Sequence, residues 1–192
     1  FNYTFGFCLY SSLMPVSING NTGVITGLTS LPDSAMASGS VIQVVSITKT
    51  DVFSEETANA TYTSAALAAT ITPLNASNKI LVSVNATVGM QSANRIGFGI
   101  FKAGTILVQG DADSNRTRVT SQADSYSAAR AVFIGGQFLD IAGGTSAITY
   151  DVRLIHGQGT TKFLYLNRTG TNTDNASFQR SVSTITLMEI AA

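Results

Sequence analysis

From Ile80 to Met90 every second residue is apolar: Ile80, Val82, Val84, Ala86, Val88 and Met90 stand opposite Ser83, Asn85 and Thr87. That period puts the apolar side chains on one face of an extended strand and the polar ones on the other. A chain carrying it must bury one side of a sheet. The pattern returns in Ile148, Tyr150, Val152 and Leu154 against Thr149, Asp151 and Arg153, and Val41, Val45 and Ile47 share a face in an earlier strand. Further strands are expected at Leu67 to Thr72, Ile96 to Lys102, Thr105 to Gln109, Ala131 to Leu139, Phe163 to Leu166 and Thr184 to Ile190, about nine in all.

Turn chemistry separates them: Pro73 to Asn78, Lys102-Ala103-Gly104, Gly143-Gly144 and Gly157-Gln158-Gly159. No long segment has helical periodicity, although the alanine-rich stretch Ala58 to Ala69 has room for a short helix. So many short alternating strands predict an all-β, two-sheet antiparallel sandwich, most simply a jelly roll. An immunoglobulin-like sandwich is the alternative, disfavoured by the absence of Trp and of paired cysteines. Gly97 and Gly99 leave one side of their strand bare, which predicts strong curvature or close approach of a neighbouring backbone.

Residues 1–38 have a different texture and are expected to form an N-terminal arm, with the sandwich in residues 39–192. Val16, Ile18, Val24 and Ile25 flank Asn19-Gly20, a dipeptide suited to a tight hairpin turn. These four and Leu28 are the candidate attachment residues; no heptad follows, so a coiled-coil stalk is not expected. Residues 1–13 are apolar but begin without Met or a basic region, and are expected to precede the natural start or to be a processed remnant. A native N-terminal strand or anchor is the alternative.

Composition narrows the chemistry. Only 11% of the 192 residues are charged, against roughly 25% in ordinary soluble domains. The surface must therefore be Ser, Thr, Asn and Gly, which identical copies can bury at little charge-desolvation cost. Eleven basic and eleven acidic residues cancel, so no long-range field gathers nucleic acid or anionic lipid, and no apolar run is long enough for a spanning helix. Neither nucleic-acid binding nor membrane insertion is expected. Cys8 is the single cysteine and His156 the single histidine, which excludes a disulfide framework, a thiolate metal site and a paired-histidine base within one chain.

No nucleophile elbow, phosphate loop or zinc-protease helix motif occurs, and no cofactor is expected. Asp111, Asp113 and Asn115 start a calcium-loop pattern, but Arg116 stands at its glycine position and Gln122 at its bidentate glutamate. A polar loop is expected there, with no metal. Asp51, Glu55 and Glu56 read as a solvated loop; a paired-carboxylate hydrolase would need Asp140 or Asp151 to converge with another carboxyl in a groove. Seven Asn-x-Ser/Thr sequons follow from an Asn- and Thr-rich composition. The candidate surface contacts are Arg116, Arg118, Arg168 and Arg180, whose guanidiniums can bind acidic sugars or pair with Asp111, Asp113 or Asp174 across a subunit boundary. Tyr126 and Tyr165 are candidates for stacking on sugars, and the receptor loops are expected at Gly110 to Ala128 and Asn167 to Arg180.

Several segments carry a family resemblance: Met14 to Leu28, Ile71-Thr72-Pro73 through Val82, Asn115-Arg116-Thr117-Arg118, Tyr165-Leu166-Asn167-Arg168-Thr169-Gly170 and Ile185 to Ile190. In these the chain resembles virion proteins of tailed phages, notably marine and cyanobacterial ones. The resemblance implies a tumour-necrosis-factor-like jelly roll that trimerises, displayed on a virion as a tail-fibre, head-fibre or capsid-decoration subunit. The arm would bind other virion proteins, and the sandwich would contact host glycans or stabilise the particle. None of the matched motifs is catalytic, so a non-enzymatic role is expected, with a virion-associated depolymerase as the alternative. A secreted animal trimeric ligand, glycosylated on Asn75 or Asn167, is the third reading.

Overall fold

The computed structural model describes residues 17–19, 24–26 and 36–192. They fall into two compact units, one within residues 1–36 and one spanning Ala37–Ala192. In the first, β1 (Ser17–Asn19) and β2 (Val24–Thr26) form an antiparallel hairpin with Ile18 opposite Ile25. Ile18, Val24 and Ile25 lie in these strands; Val16, Leu28, Cys8, residues 1–13 and the Gly20 turn lie outside the described residues.

The second unit holds eleven strands: β3 (Val41–Lys49), β4 (Phe53–Thr57), β5 (Leu67–Ile71), β6 (Lys79–Met90), β7 (Asn94–Lys102), β8 (Thr105–Val108), β9 (Ser121–Ser125), β10 (Ala131–Ile141), β11 (Ile148–His156), β12 (Lys162–Leu166) and β13 (Ser183–Ile190). It is all-β, two antiparallel sheets packed face to face as a β-sandwich. The described residues include no helix, hence none long and apolar enough to cross a membrane.

The twelve-residue β6 is the spine of the first sheet. β10 pairs with it along its whole length on one side. On the other side it forks: Lys79–Asn85 pairs with β13, which carries β3, and Val88–Met90 pairs with β12, which carries β4. The second sheet runs β5-β11-β7, with β9 against the start of β7 and β8 against its end. The chain crosses between sheets from β4 to β5, β5 to β6, β6 to β7, β9 to β10, β10 to β11 and β11 to β12.

Alternation explains the core. Ile80, Val82, Val84, Ala86, Val88 and Met90 are all buried, facing Ile96, Phe98, Ile100, Tyr150, Val152 and Leu154 of the other sheet. The β7–β8 connection is a two-residue turn in which Ala103 (φ 48°) and Gly104 (φ 83°) are both left-handed, as a type I′ hairpin requires. Gly97 and Gly99 do mark close approach. A Cβ on Gly97 would lie 2.9 Å from Val119 Cγ1, and one on Gly99 2.8 Å from the Tyr62 ring.

Four sequence expectations need correction. Glu55 and Glu56 lie in strand β4, not a loop: Glu55 accepts from the Ser64 backbone N–H at 2.9 Å and so ties this edge strand to the next connection. The alanine-rich stretch forms no helix. Ala60, Thr63 and Ala66 instead donate backbone hydrogen bonds to His156, Leu154 and Val152, running alongside β11 until β5 begins. Gly110 to Ala128 is not all loop, since it contains β9. A bulge between Glu189 and Ile190 sets Val41 opposite Ile190, so Val41 is 51% exposed and does not share the face of Val45 and Ile47.

A fully buried carboxylate faces the core at one end of β13. Along β13 the inward positions are Ser183, Ile185, Leu187 and Glu189, and Glu189 is fully buried. Its Oε1 accepts from Asn78 Nδ2 at 2.7 Å, Leu74 N at 2.8 Å and Asn75 N at 3.4 Å, and its Oε2 accepts from Gln43 Nε2. Burial works to raise its pKa, but the N–H groups of Asn78, Gln43, Leu74 and Asn75 together outweigh it, and the carboxyl titrates below its ordinary value. This knot fastens the β5–β6 connection to β3 and β13 at one end of the sandwich.

Candidate functional site

The outer face of the second sheet carries a groove of about 360 Å3. Its floor is set by alternation along β7, where Arg95, Gly97, Gly99 and Phe101 point away from the core, and by register, which sets Gly97 between Ile155 of β11 and Gln122 of β9. Missing side chains make the depth. Segment 115–119 folds down over Gly97, and a Cβ on Gly157 would lie 3.3 Å from Thr117 Oγ1. Asn94 and Arg95 form one wall; Asn115, Arg116 and Thr117 form the other.

Both groove arginines are partly committed. Arg95 Nε is 3.1 Å from Asp124 Oδ1, and Arg116 Nη1 is 2.5 Å from Asp113 Oδ2, with all four side chains largely solvated. A shallow depression adjoins the groove, sharing Asn94 and Arg95 and ending at Tyr126, which is 73% exposed. His156 also lines the groove, but its ring is fixed. Nδ1 accepts from the Gln158 backbone N–H at 3.1 Å, so Nε2 carries the proton that it donates to the Thr57 carbonyl at 3.1 Å.

The predicted contacts divide. Arg116 and Tyr126 belong to this continuous surface. Arg118 lies on the same loop, where its Nε donates to the Gly110 carbonyl and its own carbonyl accepts from Tyr62 Oη. Arg168 stacks on the Tyr165 ring of β12, 3.8 Å from its centroid, and Arg180 donates to Asn172 Oδ1. The three arginines Arg118, Arg168 and Arg180 are thus held by separate local partners. Asp113, of the calcium-like trio Asp111, Asp113 and Asn115, is engaged by Arg116 within the chain. Arg95 and Asn94 carry no motif in the sequence, and Gln122 stands out there only as a departure from the calcium-loop pattern, because the groove forms only when β7 and β9 pair; the bare Gly97 beside them was the available signal.

The motif Tyr165 to Gly170 turns out to be architectural. Asn167, at φ 65° and fully buried, donates both amide hydrogens to the Lys49 and Asp51 carbonyls and accepts from Ser183 Oγ at 2.6 Å. That leaves no amide hydrogen for a sugar. Gly170 packs so closely on the Met90 carbonyl that a Cβ there would overlap it.

The two carboxylates proposed for hydrolysis do not meet. Asp140 sits between Lys102 Nζ at 2.6 Å and Tyr150 Oη at 2.7 Å on the inner side, and burial with that carboxylate pushes the Tyr150 pKa far up. Asp151 is on the outer face of β11, gripped by Arg153 through Nε at 2.6 Å and Nη2 at 3.3 Å.

The outer face of the first sheet is the second notable surface. Its registers align Val44, Met188, Leu81 and Leu139 in one row across β3, β13, β6 and β10, with Val41, Ile190, Lys79 and Ile141 beside it. Next come Ser46, Thr186, Ser83 and Gln137, then Thr48, Thr184, Asn85 and Gly135. Lys79 is the only charged side chain among these rows. Val44, Leu139 and Ile141 are 56%, 47% and 62% exposed.

No protein-family model matches the chain, and no curated protein matches it. Among solved structures it is similar to a chain in the structure of infectious bursal disease virus Gx strain, at 12% identity and a TM-score of 0.37. The match covers 94% of this chain and 43% of that one.

Proposed function

We propose that the protein is a non-enzymatic structural subunit of a virion, a phage tail-fibre, head-fibre or capsid-decoration sandwich that assembles as a homotrimer. The observation that carries the assembly is the nearly chargeless outer face of the β3-β13-β6-β10 sheet. At about 4.8 Å between strands and about 3.3 Å per residue, strands of nine, eight, twelve and eleven residues cover about 600–650 Å2. That lies at the low end of the roughly 600–1,000 Å2 each partner contributes to a standard interface. Burying it desolvates one ammonium per subunit and four rows of apolar, hydroxyl and amide side chains, in contrast to a typical monomer surface.

The strand order supports the finer architecture. β3-β13-β6-β10 faces β5-β11-β7 with β8 and β9, and the repeated crossings between sheets fit a jelly roll of the tumour-necrosis-factor type. The virion assignment rests on the phage-like motifs. The non-enzymatic reading is supported by the separate environments of Asp140 and Asp151, each paired with its own cation rather than with the other.

Light scattering on the full chain tests the assembly: three times the chain mass of 20.1 kDa is expected, falling to one in Val44→Lys and Leu139→Lys. A wild-type monomer at micromolar concentration defeats it, and a trimer indifferent to both substitutions puts the interface elsewhere. Incubation with a broad polysaccharide panel should release no fragments.

A further inference from the structure

Two chemically different faces lie on opposite sides of the sandwich. If the first sheet is the one buried between copies, the groove on the second remains exposed in every subunit. Its wall residues supply both hydrogen-bond donors and acceptors: the amides of Asn94, Asn115 and Gln122 offer each kind, while Arg95 and Arg116 add donors.

The charge balance decides the ligand class. Each groove arginine is matched by a carboxylate, Asp124 for Arg95 and Asp113 for Arg116, so the wall has no net positive charge to attract an anion. A phosphate or a sugar carboxylate only accepts hydrogen bonds, and would lie beside two fixed negative charges. A hydroxyl both donates and accepts. Adjacent hydroxyls on one ring can therefore accept from a guanidinium while donating to a carboxylate or an amide oxygen, using both members of each ion pair.

Tyr126 supplies the remaining requirement. A pyranose has an apolar face of C–H groups that packs on an aromatic ring, and Tyr126 stands exposed at the rim, beyond Asn94 and Arg95. The groove volume of about 360 Å3 lies at the small end of ligand clefts, enough for a short stretch of glycan. We propose that this groove, extended to Tyr126, binds an uncharged oligosaccharide, with Gln122, Arg95 and Arg116 reading its hydroxyls and Tyr126 stacking on a ring. The site names the glycan class for a host-contacting virion subunit and rests on that reading of the protein.

The test is a printed array of neutral, sialylated and uronic-acid oligosaccharides probed with the full chain. Hits are then titrated as free sugars by calorimetry against wild type, Tyr126→Ala, Gln122→Ala and, as a control at the opposite end of β7 from the groove, Thr105→Ala. Inorganic phosphate is titrated separately. Expected are neutral hits whose Kd rises about tenfold or more in the two groove variants, as for loss of a ring stack or of a hydrogen bond to the sugar, and is unchanged in the control. Both groove residues are exposed, so melting temperatures should stay at the wild-type value and loss of binding cannot be blamed on unfolding.

Binding confined to acidic glycans or phosphate overturns the neutral assignment, and neutral binding indifferent to both variants overturns the location. Silence across the array overturns the site itself. Light scattering on the same samples separates the two proposals: a trimer without glycan binding removes only this one, and a glycan-binding monomer removes only the assembly.

Discussion

Replacing Glu189 by Gln changes one atom of a buried carboxylate and nothing of its shape. In the native knot every contact described for it is a donated N–H: Asn78 Nδ2 at 2.7 Å, Leu74 N at 2.8 Å, Asn75 N at 3.4 Å and Gln43 Nε2. Gln retains one acceptor oxygen but sets an NH2 where another oxygen stood. If its carbonyl keeps the Leu74 and Asn78 bonds, each falls from the charged class, about 1.5–3 kcal/mol, to the neutral class, about 0.5–1.5 kcal/mol. The NH2 then meets that of Gln43, whose other amide hydrogen is already committed to the Thr72 carbonyl at 2.8 Å. That bond is lost, and the lower desolvation of a neutral group returns part of the total. A net destabilisation of about 2–3 kcal/mol follows, or about 4–12 °C in Tm for a domain of this size. Urea unfolding at fixed protein concentration measures it. The pH dependence is an independent check. Because the folded pKa is lowered from 4.5, the unfolded chain binds more protons in between, so stability rises with pH through that window. The contribution is complete above the ordinary value and is lost as pH falls through the lowered one. The gap between wild type and variant should therefore narrow as pH falls through the ordinary value of 4.5 and toward the lowered one. A variant as stable as wild type at pH 7, or a gap that stays constant, would refute the reasoning.

Gly170→Ala is expected to cost more than about 3 kcal/mol, since the added Cβ meets the Met90 and Ala128 carbonyls, which are backbone and cannot swing aside; thermal melts check it, and a loss under 1 kcal/mol would contradict the packing. Asn167→Ala removes both hydrogen bonds to the Lys49 and Asp51 carbonyls, leaves Ser183 Oγ without its acceptor and puts a β-carbon residue alone at φ 65°. About 3–4 kcal/mol is expected by denaturant unfolding, against the near-neutral outcome of a solvated glycosylation site.

The long strands were legible because alternation is a property of neighbours along the chain. Ile80 to Met90 reads as one buried face, and the sandwich follows from repeating that pattern. β4 and β9 were not legible because Phe53-Ser54-Glu55-Glu56-Thr57 and Ser121-Gln122-Ala123-Asp124-Ser125 are polar stretches whose strand state comes from the partner beside them, β12 and β7. The displaced Val41 depends likewise on a bulge in its pairing with β13. Glu189 was within reach: continuing Ile185 and Leu187 by two places puts it on the inward face. What the sequence hid were the donors that satisfy it, gathered from Gln43 and the Leu74 to Asn78 connection. The groove is of the same kind, with Arg95, Gln122 and Arg116 brought together only when β7, β9 and the connection before β9 are folded.

The position of β13 bears on how the sandwich is made. It lies between β3 and β6, and residues that sit side by side there, such as Ser46 and Thr186, are 140 positions apart in the chain. During synthesis β3 and the Lys79–Asn85 edge of β6 must wait for Ser183–Ile190 to emerge before either gains its neighbour in the sheet. Closure over such a span is slow, in the class of non-local β topologies that take milliseconds to seconds. In the interval the nascent chain presents two open, Val- and Ile-containing strand edges to whatever is nearby, including other nascent copies. The longer those edges stay open, the greater the exposure of the nascent chain to edge-to-edge association.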